Sequence, residues 1–146
     1  MCCRVREAVG WLNKFKASQI PVAAVATGFP SGHYSLATRL EEIRFDISEG
    51  AREIDIVLNR PLVLQQKWTE LYEEVKAMKA VCGPDIHMKS ILAIGELGSM
   101  SNVYKASLVC MMAGSDFIKT STGKEAVNAT LPVGLVMCRY GNLTRS

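Results

Sequence analysis

The sequence predicts an α/β protein built on parallel strands, and three observations carry that prediction. Short apolar runs alternate with amphipathic helical stretches along the chain. The strand-plus-helix unit returns at about 30-residue spacing, the length of a βαβ unit. Charged residues stand at the middles or C-terminal ends of otherwise apolar strands, which is where α/β folds carry their sites. Strands joined by such helices pair in parallel. The two architectures this allows are a small doubly wound sheet and part of a (β/α)8 barrel.

The elements follow in order. A helical pattern opens the chain, with Val5, Val9, Leu12 and Phe15 on one face. The apolar run Pro21 to Thr27 is the first strand, broken by a loop from Gly28 to Gly32. Ser35 to Glu49 reads as a helix with Leu36, Leu40, Ile43 and Ile47 spaced three and four apart, and Gly50 stops it. Arg52 to Leu58 is the second strand. Gln65 to Val81 is an amphipathic helix that shows Trp68, Leu71, Tyr72, Val75 and Met78 on one side. The turn Cys82-Gly83-Pro84-Asp85 leads into a third strand, Ile86 to Leu92. Asn102 to Ala113 is helical and is closed by Gly114. Ser115 to Lys119 is the fourth strand. Lys124 to about Cys138 reads as a last helix, weakened in its middle by Pro132 and Gly134.

Composition narrows the function classes. The chain has 146 residues, a net charge of +3 and a hydrophobic fraction of 49%, which suits one core. No run of Lys and Arg forms a nucleic-acid footprint. No stretch approaches the roughly 20 apolar residues of a membrane span. The five cysteines, Cys2, Cys3, Cys82, Cys110 and Cys138, make no CxxC pair and no zinc spacing. That pattern fits a reduced, cytoplasmic protein with no metal site.

Three charged side chains draw attention because of the strand faces they occupy. In the second strand, Glu53, Asp55 and Val57 lie opposite Ile54, Ile56 and Leu58. In the third, His87, Lys89 and Ile91 lie opposite Ile86, Met88 and Leu92. In the fourth, Ser115, Phe117 and Lys119 share a face. A buried parallel strand is normally apolar throughout, so Asp55, Lys89 and Lys119 need a reason. One reading has Lys119 paired with Asp116 or Asp55, or reaching out to solvent. The other makes it a nucleophilic amine. A free lysine is neutral in only about one part in a thousand at pH 7.4, and lowering its pKa to ~7 takes about 4–5 kcal/mol. Desolvation and a neighbouring cation act in that direction. Lys89 is a candidate for that cation and Asp55 for the proton carrier.

Thr120 to Glu125 opens the expected last helix, and Thr122 with Glu125 fits a capping box. The same stretch suits an anion, because the amides of Gly123 and Lys124 at a helix N-terminus, together with the lysine charge, would face a phosphate. His33 and His87 have no partner spacing and read as structural or surface residues. Glu96, after the third strand, reads either as a site residue or as a solvated loop carboxylate.

Together these segments resemble deoxyribose-phosphate aldolases. The stretches that carry the resemblance are Val22 to Pro30, Glu53 to Arg60, Met88 to Gly98, Asn102 to Ser107 and Met111 to Thr130, with Phe117-Ile118-Lys119-Thr120-Ser121-Thr122-Gly123-Lys124 the most specific. The resemblance implies a class I aldolase on a (β/α)8 barrel, without a metal or other cofactor. Its activity would be the reversible cleavage of 2-deoxyribose 5-phosphate to glyceraldehyde 3-phosphate and acetaldehyde. By resemblance, Lys119 forms the Schiff base, Asp55 serves the proton relay, Lys89 lies near the carbinolamine, and Gly123 and Lys124 belong to the phosphate site. The implied partner is a small phosphorylated sugar, with a homo-oligomer as an option.

A full barrel runs to about 250 residues. The resemblance therefore implies an incomplete TIM barrel, with a partial aldolase domain over residues 1–138 and a divergent tail over 139–146. The family's last two strands, a second lysine and Gly-rich phosphate loops are expected to be missing. The alternative to an active aldolase is a catalytically inactive truncated form that pairs with full-length subunits or does not fold alone. A part-barrel bares two strand edges and an inner face. The chain expressed alone is expected to be poorly soluble or to lack fixed packing; a sharp two-state melt of a monomer contradicts this.

Overall fold

A computed structural model describes residues 4–17 and 19–139. Cys2, Cys3 and residues 140–146 of the expected tail lie outside the described residues. Strands and helices alternate as the periodicity predicts. Helix α1 (Arg4–Lys14) precedes β1 (Ala23–Val25), α2 (Leu36–Ser48) and β2 (Glu53–Val57). A short α3 (Arg60–Leu64) and α4 (Trp68–Cys82) lead to β3 (His87–Ile91). A single 3-10 turn (Ile94–Glu96), α5 (Met100–Met112), β4 (Phe117–Lys119) and α6 (Leu131–Cys138) complete the order. The four strands form one parallel sheet in the order β1-β2-β3-β4. Sequential order with every crossover helical is the winding of a barrel wall.

The sheet has two unlike faces. The outer one carries Ile54, Ile56 and Met88, which pack with Ile43, Leu71, Val75, Met78, Val103, Ala106 and Cys110 from the helices. All of these are essentially inaccessible to solvent. Each large aliphatic side chain buried this way contributes about 1.5–3 kcal/mol, so this seam is what holds helices α2, α4 and α5 on the sheet. The inner face carries Glu53, Asp55, His87, Lys89, Phe117 and Lys119. Phe117 remains 52% exposed there, although it is a strand aromatic. The strands β1 and β4 are the two edges of the sheet among the described residues.

One expectation is corrected. The last helix does not begin at Lys124; residues 124–130 are turns and extended chain, and α6 starts at Leu131. Thr130 caps it by accepting from the Val133 amide at 3.4 Å, and Pro132 lies in the first turn. Proline costs nothing in that turn because its missing N–H has no helical partner anyway. The residue that weakens a helix interior therefore sets the start of this one. On α2 the expected Leu36, Leu40, Ile43 and Ile47 all pack on the core, and the stripe is widened by two polar residues, Arg39 and Asp46, which are fully buried beside Ile43.

Arg39 has a reason to be buried. Its guanidinium is 1% exposed and donates to the Val57 carbonyl at 2.8 Å and to Glu74 at 2.7 Å. It thus ties α2 and α4 to the C-terminal end of β2. Burial works to lower its pKa, and the hydrogen bond and charge of Glu74 oppose that. Thr27 makes a second tie at the same strand end. Its hydroxyl accepts from the Val57 amide at 2.7 Å. Gly32 is a third: at φ +71 it lies so close to β2 that a Cβ would stand 2.4 Å from the Leu58 carbonyl oxygen.

Removing one partner of a buried ion pair typically costs about 3–5 kcal/mol, because the other partner is left unpaired. Arg39→Ala is therefore expected to raise amide hydrogen exchange of β2 and α4 by more than about 100-fold. Unchanged protection of those amides would show that Arg39 is not a strut.

Candidate active site

The parallel register brings the charged residues of three strands onto one inner surface. Asp55 is the direct Cα partner of Lys89, and Lys119 pairs with Ile91, two residues beyond Lys89. Side chains two apart on a strand share a face, so Lys89 and Lys119 both lean toward Asp55. The result is a chain of contacts. One Asp55 oxygen, Oδ2, accepts from the Lys119 ammonium, and the other, Oδ1, lies 3.4 Å from Lys89 Nζ. Lys89 donates in turn to Glu53. All three residues expected to be catalytic are therefore in one cluster.

Their environments differ in a useful way. Asp55 is 5% exposed, a buried carboxylate held by two cations. The Lys89 side chain is 19% exposed and that of Lys119 42%. Desolvation works to lower the pKa of Lys89. It is outweighed by the hydrogen bond to Glu53 and the charges of Asp55 and Glu53, so the pKa ends up raised. Lys89 is held as an ammonium. Lys119 has one carboxylate contact and the more open position, and Asp55 lies where it can take the proton that Lys119 must shed before attacking a carbonyl.

The alternative partner proposed for Lys119, Asp116, is engaged elsewhere. It accepts from Lys79 at 2.7 Å and from the Met88 amide at 2.8 Å. Burial works to raise its pKa, but these contacts, the one with Lys79 foremost, hold the carboxyl below its usual range. Asp116 is therefore a strut between α4 and β3.

The loop after β4 departs from what its motif suggests. With no helix at Lys124, the Thr122–Glu125 pair closes a turn: Glu125 Oε1 accepts from the Thr122 amide and hydroxyl at 2.7 and 2.5 Å. The Lys124 amide donates to the Thr122 hydroxyl at 3.1 Å. Gly123 and Lys124 thus do not sit at a helix N-terminus. What they offer an anion is the exposed Lys124 charge, beside open space at Gly123, whose φ is +78. His87 tilts against Phe117 with ring centroids 6.1 Å apart, and His33 is exposed on its loop, as expected of residues without catalytic partners.

Two features escaped the sequence reading. Alternation places Glu53 on the Asp55 face, but only the sheet shows that it is the partner of Lys89. Arg60 is 7% exposed and pairs with Glu96, while its other nitrogen donates to the Ser31 carbonyl at 2.6 Å. This one guanidinium joins the loops that follow β1, β2 and β3. It pairs with Glu96, whose own side chain stays half-exposed on the loop. Nothing in the local pattern marks Arg60, because its partners are about 30 residues away on either side.

Comparison with known proteins agrees with this geometry. A deoxyribose-phosphate aldolase from Mus musculus is 62% identical over 136 residues, which is 93% of this chain and 42% of that protein. The solved structure of QR15, an aldolase, superposes with a TM-score of 0.87 at 27% identity, covering 98% of this chain and 61% of that one. A deoxyribose phosphate aldolase from Aeropyrum pernix, described as a unique tetramer, superposes with a TM-score of 0.81 at 21% identity over 99% and 58% of the two chains. The chain thus spans less than half the length of the curated relative, and its sheet is part of a TIM-barrel wall. A family model for DeoC/LacD aldolases matches residues 6–142. With that match over nearly the whole chain and the lysine–aspartate–lysine cluster in place, this protein belongs to the DeoC/LacD aldolase family.

Proposed function

We propose that this chain carries the Schiff-base centre of a deoxyribose-phosphate aldolase, in deoxyribose phosphate breakdown. The observation that supports it most is the cluster itself: an accessible lysine at a strand end, bonded to a buried aspartate that also faces a second, charged lysine. The substrate is that of the related deoxyribose-phosphate aldolases.

The chemistry follows from the residue types. Lys119 gives up a proton to Asp55, and its Nζ adds to the C1 aldehyde of open-chain 2-deoxyribose 5-phosphate. The carbinolamine loses water to form an iminium, with Lys89 as the neighbouring proton donor to the departing oxygen. The iminium is an electron sink, so the C2–C3 bond breaks as the C3 hydroxyl loses its proton. Glyceraldehyde 3-phosphate leaves, and an enamine of acetaldehyde remains on Lys119. Protonation at C2 through Asp55 and addition of water then release acetaldehyde and the free lysine. Gly123 and Lys124 hold the phosphate through the lysine charge. No metal or other cofactor enters this scheme. We place this activity in the cytoplasm; no helix among the described residues is long and apolar enough to cross a membrane.

A second reading is favoured by one feature: β1 and β4 present unpaired edges among the described residues. Here the chain is catalytically silent and pairs with full-length subunits. Self-association in the manner of a homo-oligomer belongs to the same reading.

Borohydride reduction in the presence of acetaldehyde is expected to label Lys119 selectively, and Lys119→Ala to abolish that adduct. Asp55→Asn is expected to lower turnover by about 100-fold or more, the scale of a lost general acid–base group. An adduct that persists in Lys119→Ala sinks the Schiff-base assignment. Trapping without any turnover supports the silent reading.

A further inference from the structure

Two lysines contact the same buried aspartate, yet a Schiff-base enzyme needs one of them to react and the other to stay charged. Their shared partner does not distinguish them, since Asp55 faces both. The difference comes from Glu53. It lies two residues before Asp55 on β2, on the same inward face. Its carboxylate accepts directly from Lys89 and is itself only 24% exposed.

We infer that Glu53 is a positioning residue that assigns the Schiff base to Lys119, by holding Lys89 as the ammonium that does not add to the carbonyl. The inference rests on the Schiff-base reading of Lys119. Every charged group around Lys89 agrees with it. From β2, Glu53 and Asp55 face Lys89. From β4, Phe117 is its direct register partner, and Lys119 lies beyond on the same face. On its own strand, His87 is exposed two residues before it. Two carboxylates therefore surround Lys89, and one contacts Lys119. A charged pair in a partly dehydrated site gains more from its partner than one in water. Lys89 is thus held as an ammonium, with its nitrogen bonded to Glu53.

The clamp also gives Asp55 freedom. With Lys89 bonded to Glu53 and 3.4 Å from Asp55, the aspartate keeps its direct contact for Lys119 and for the proton they exchange. Glu53 touches neither Lys119 nor, in the proposed scheme, the substrate.

Reductive ethylation separates this role from accessibility alone. The 146-residue protein is treated with acetaldehyde and cyanoborohydride at neutral pH. A neutral lysine adds to the aldehyde, loses water to give an iminium, and takes hydride from the reagent to become an ethylamine. Peptide mapping then compares Lys89, Lys119, exposed Lys124 and the ion-paired Lys79. Glu53→Gln is expected to raise Lys89 labelling relative to Lys124 by about tenfold, the effect of one pK unit. Glu53→Asp keeps the charge and should hold the ratio near that of the unmodified protein. An unchanged Lys89:Lys124 ratio in Glu53→Gln overturns the inference. A matching rise at Lys79, on the outer side of the sheet, would mean general loosening and counts against it equally. The Lys119:Lys124 ratio in the unmodified protein reads the Schiff-base assignment separately. If Lys119 labels no faster than Lys124, that assignment fails while the hold of Glu53 on Lys89 is still measured.

Discussion

Asp55 is a carboxylate buried to 5% exposure on the inner face of a parallel sheet, and much of the molecule answers to it. An isolated charge in such a place is expensive, so it must be surrounded by cations or lose its charge. The sheet register supplies the cations. Asp55 stands directly across from Lys89, and Lys119 arrives one pleat further along on β4. A slip of one residue in β3 or β4 would turn its lysine into the apolar outer seam and leave Asp55 with one fewer partner. The electrostatics and the packing therefore favour the same register, the outer face through Ile54, Ile56 and Met88 and the inner face through charge.

Around that centre, the ends of the strands are held by buried polar struts. Arg39 joins two helices to the Val57 carbonyl, Thr27 joins β1 to β2, and Arg60 binds the loops after the first three strands. The loop after β3 is joined to the next one by the Ile94 amide, which donates to the Thr120 carbonyl at 2.9 Å. Thr120 follows Lys119 directly. The position of Lys119 is thus tied to backbone bonds and guanidinium bridges well away from it, the kind of support a precise site needs.

The division of labour among the charges is also chemical. A nucleophilic lysine must be able to lose its proton, while a proton donor beside it must keep its own. Two carboxylates lie around Lys89, while Lys119 has one contact and a more open position, so identical side chains meet unlike surroundings. In the proposed reaction, that difference would select the amine that acts, much as environment separates paired carboxylates into acid and base.

The sequence alone determined the parallel α/β plan, because period-two and helical periodicities are local and survive without tertiary context. It also determined which residues share a face with Asp55, Lys89 and Lys119 within each strand, since alternation follows from strand geometry. The start of helix α6 and the burial of Arg39 on α2 are not legible locally. Pro132 sets a helix start only once the chain before it has another course, and Arg39 belongs in a core only once Glu74 and the Val57 carbonyl are brought to it. The capping-box pattern at Thr122 and Glu125 was legible, but whether it opens a helix or closes a turn depends on what packs against residues 124–130. The Lys89–Glu53 and Arg60–Glu96 pairs each span 36 residues. No local pattern encodes such a distance; only the parallel register and the crossover helices bring those charges together, and with them the difference between the two lysines.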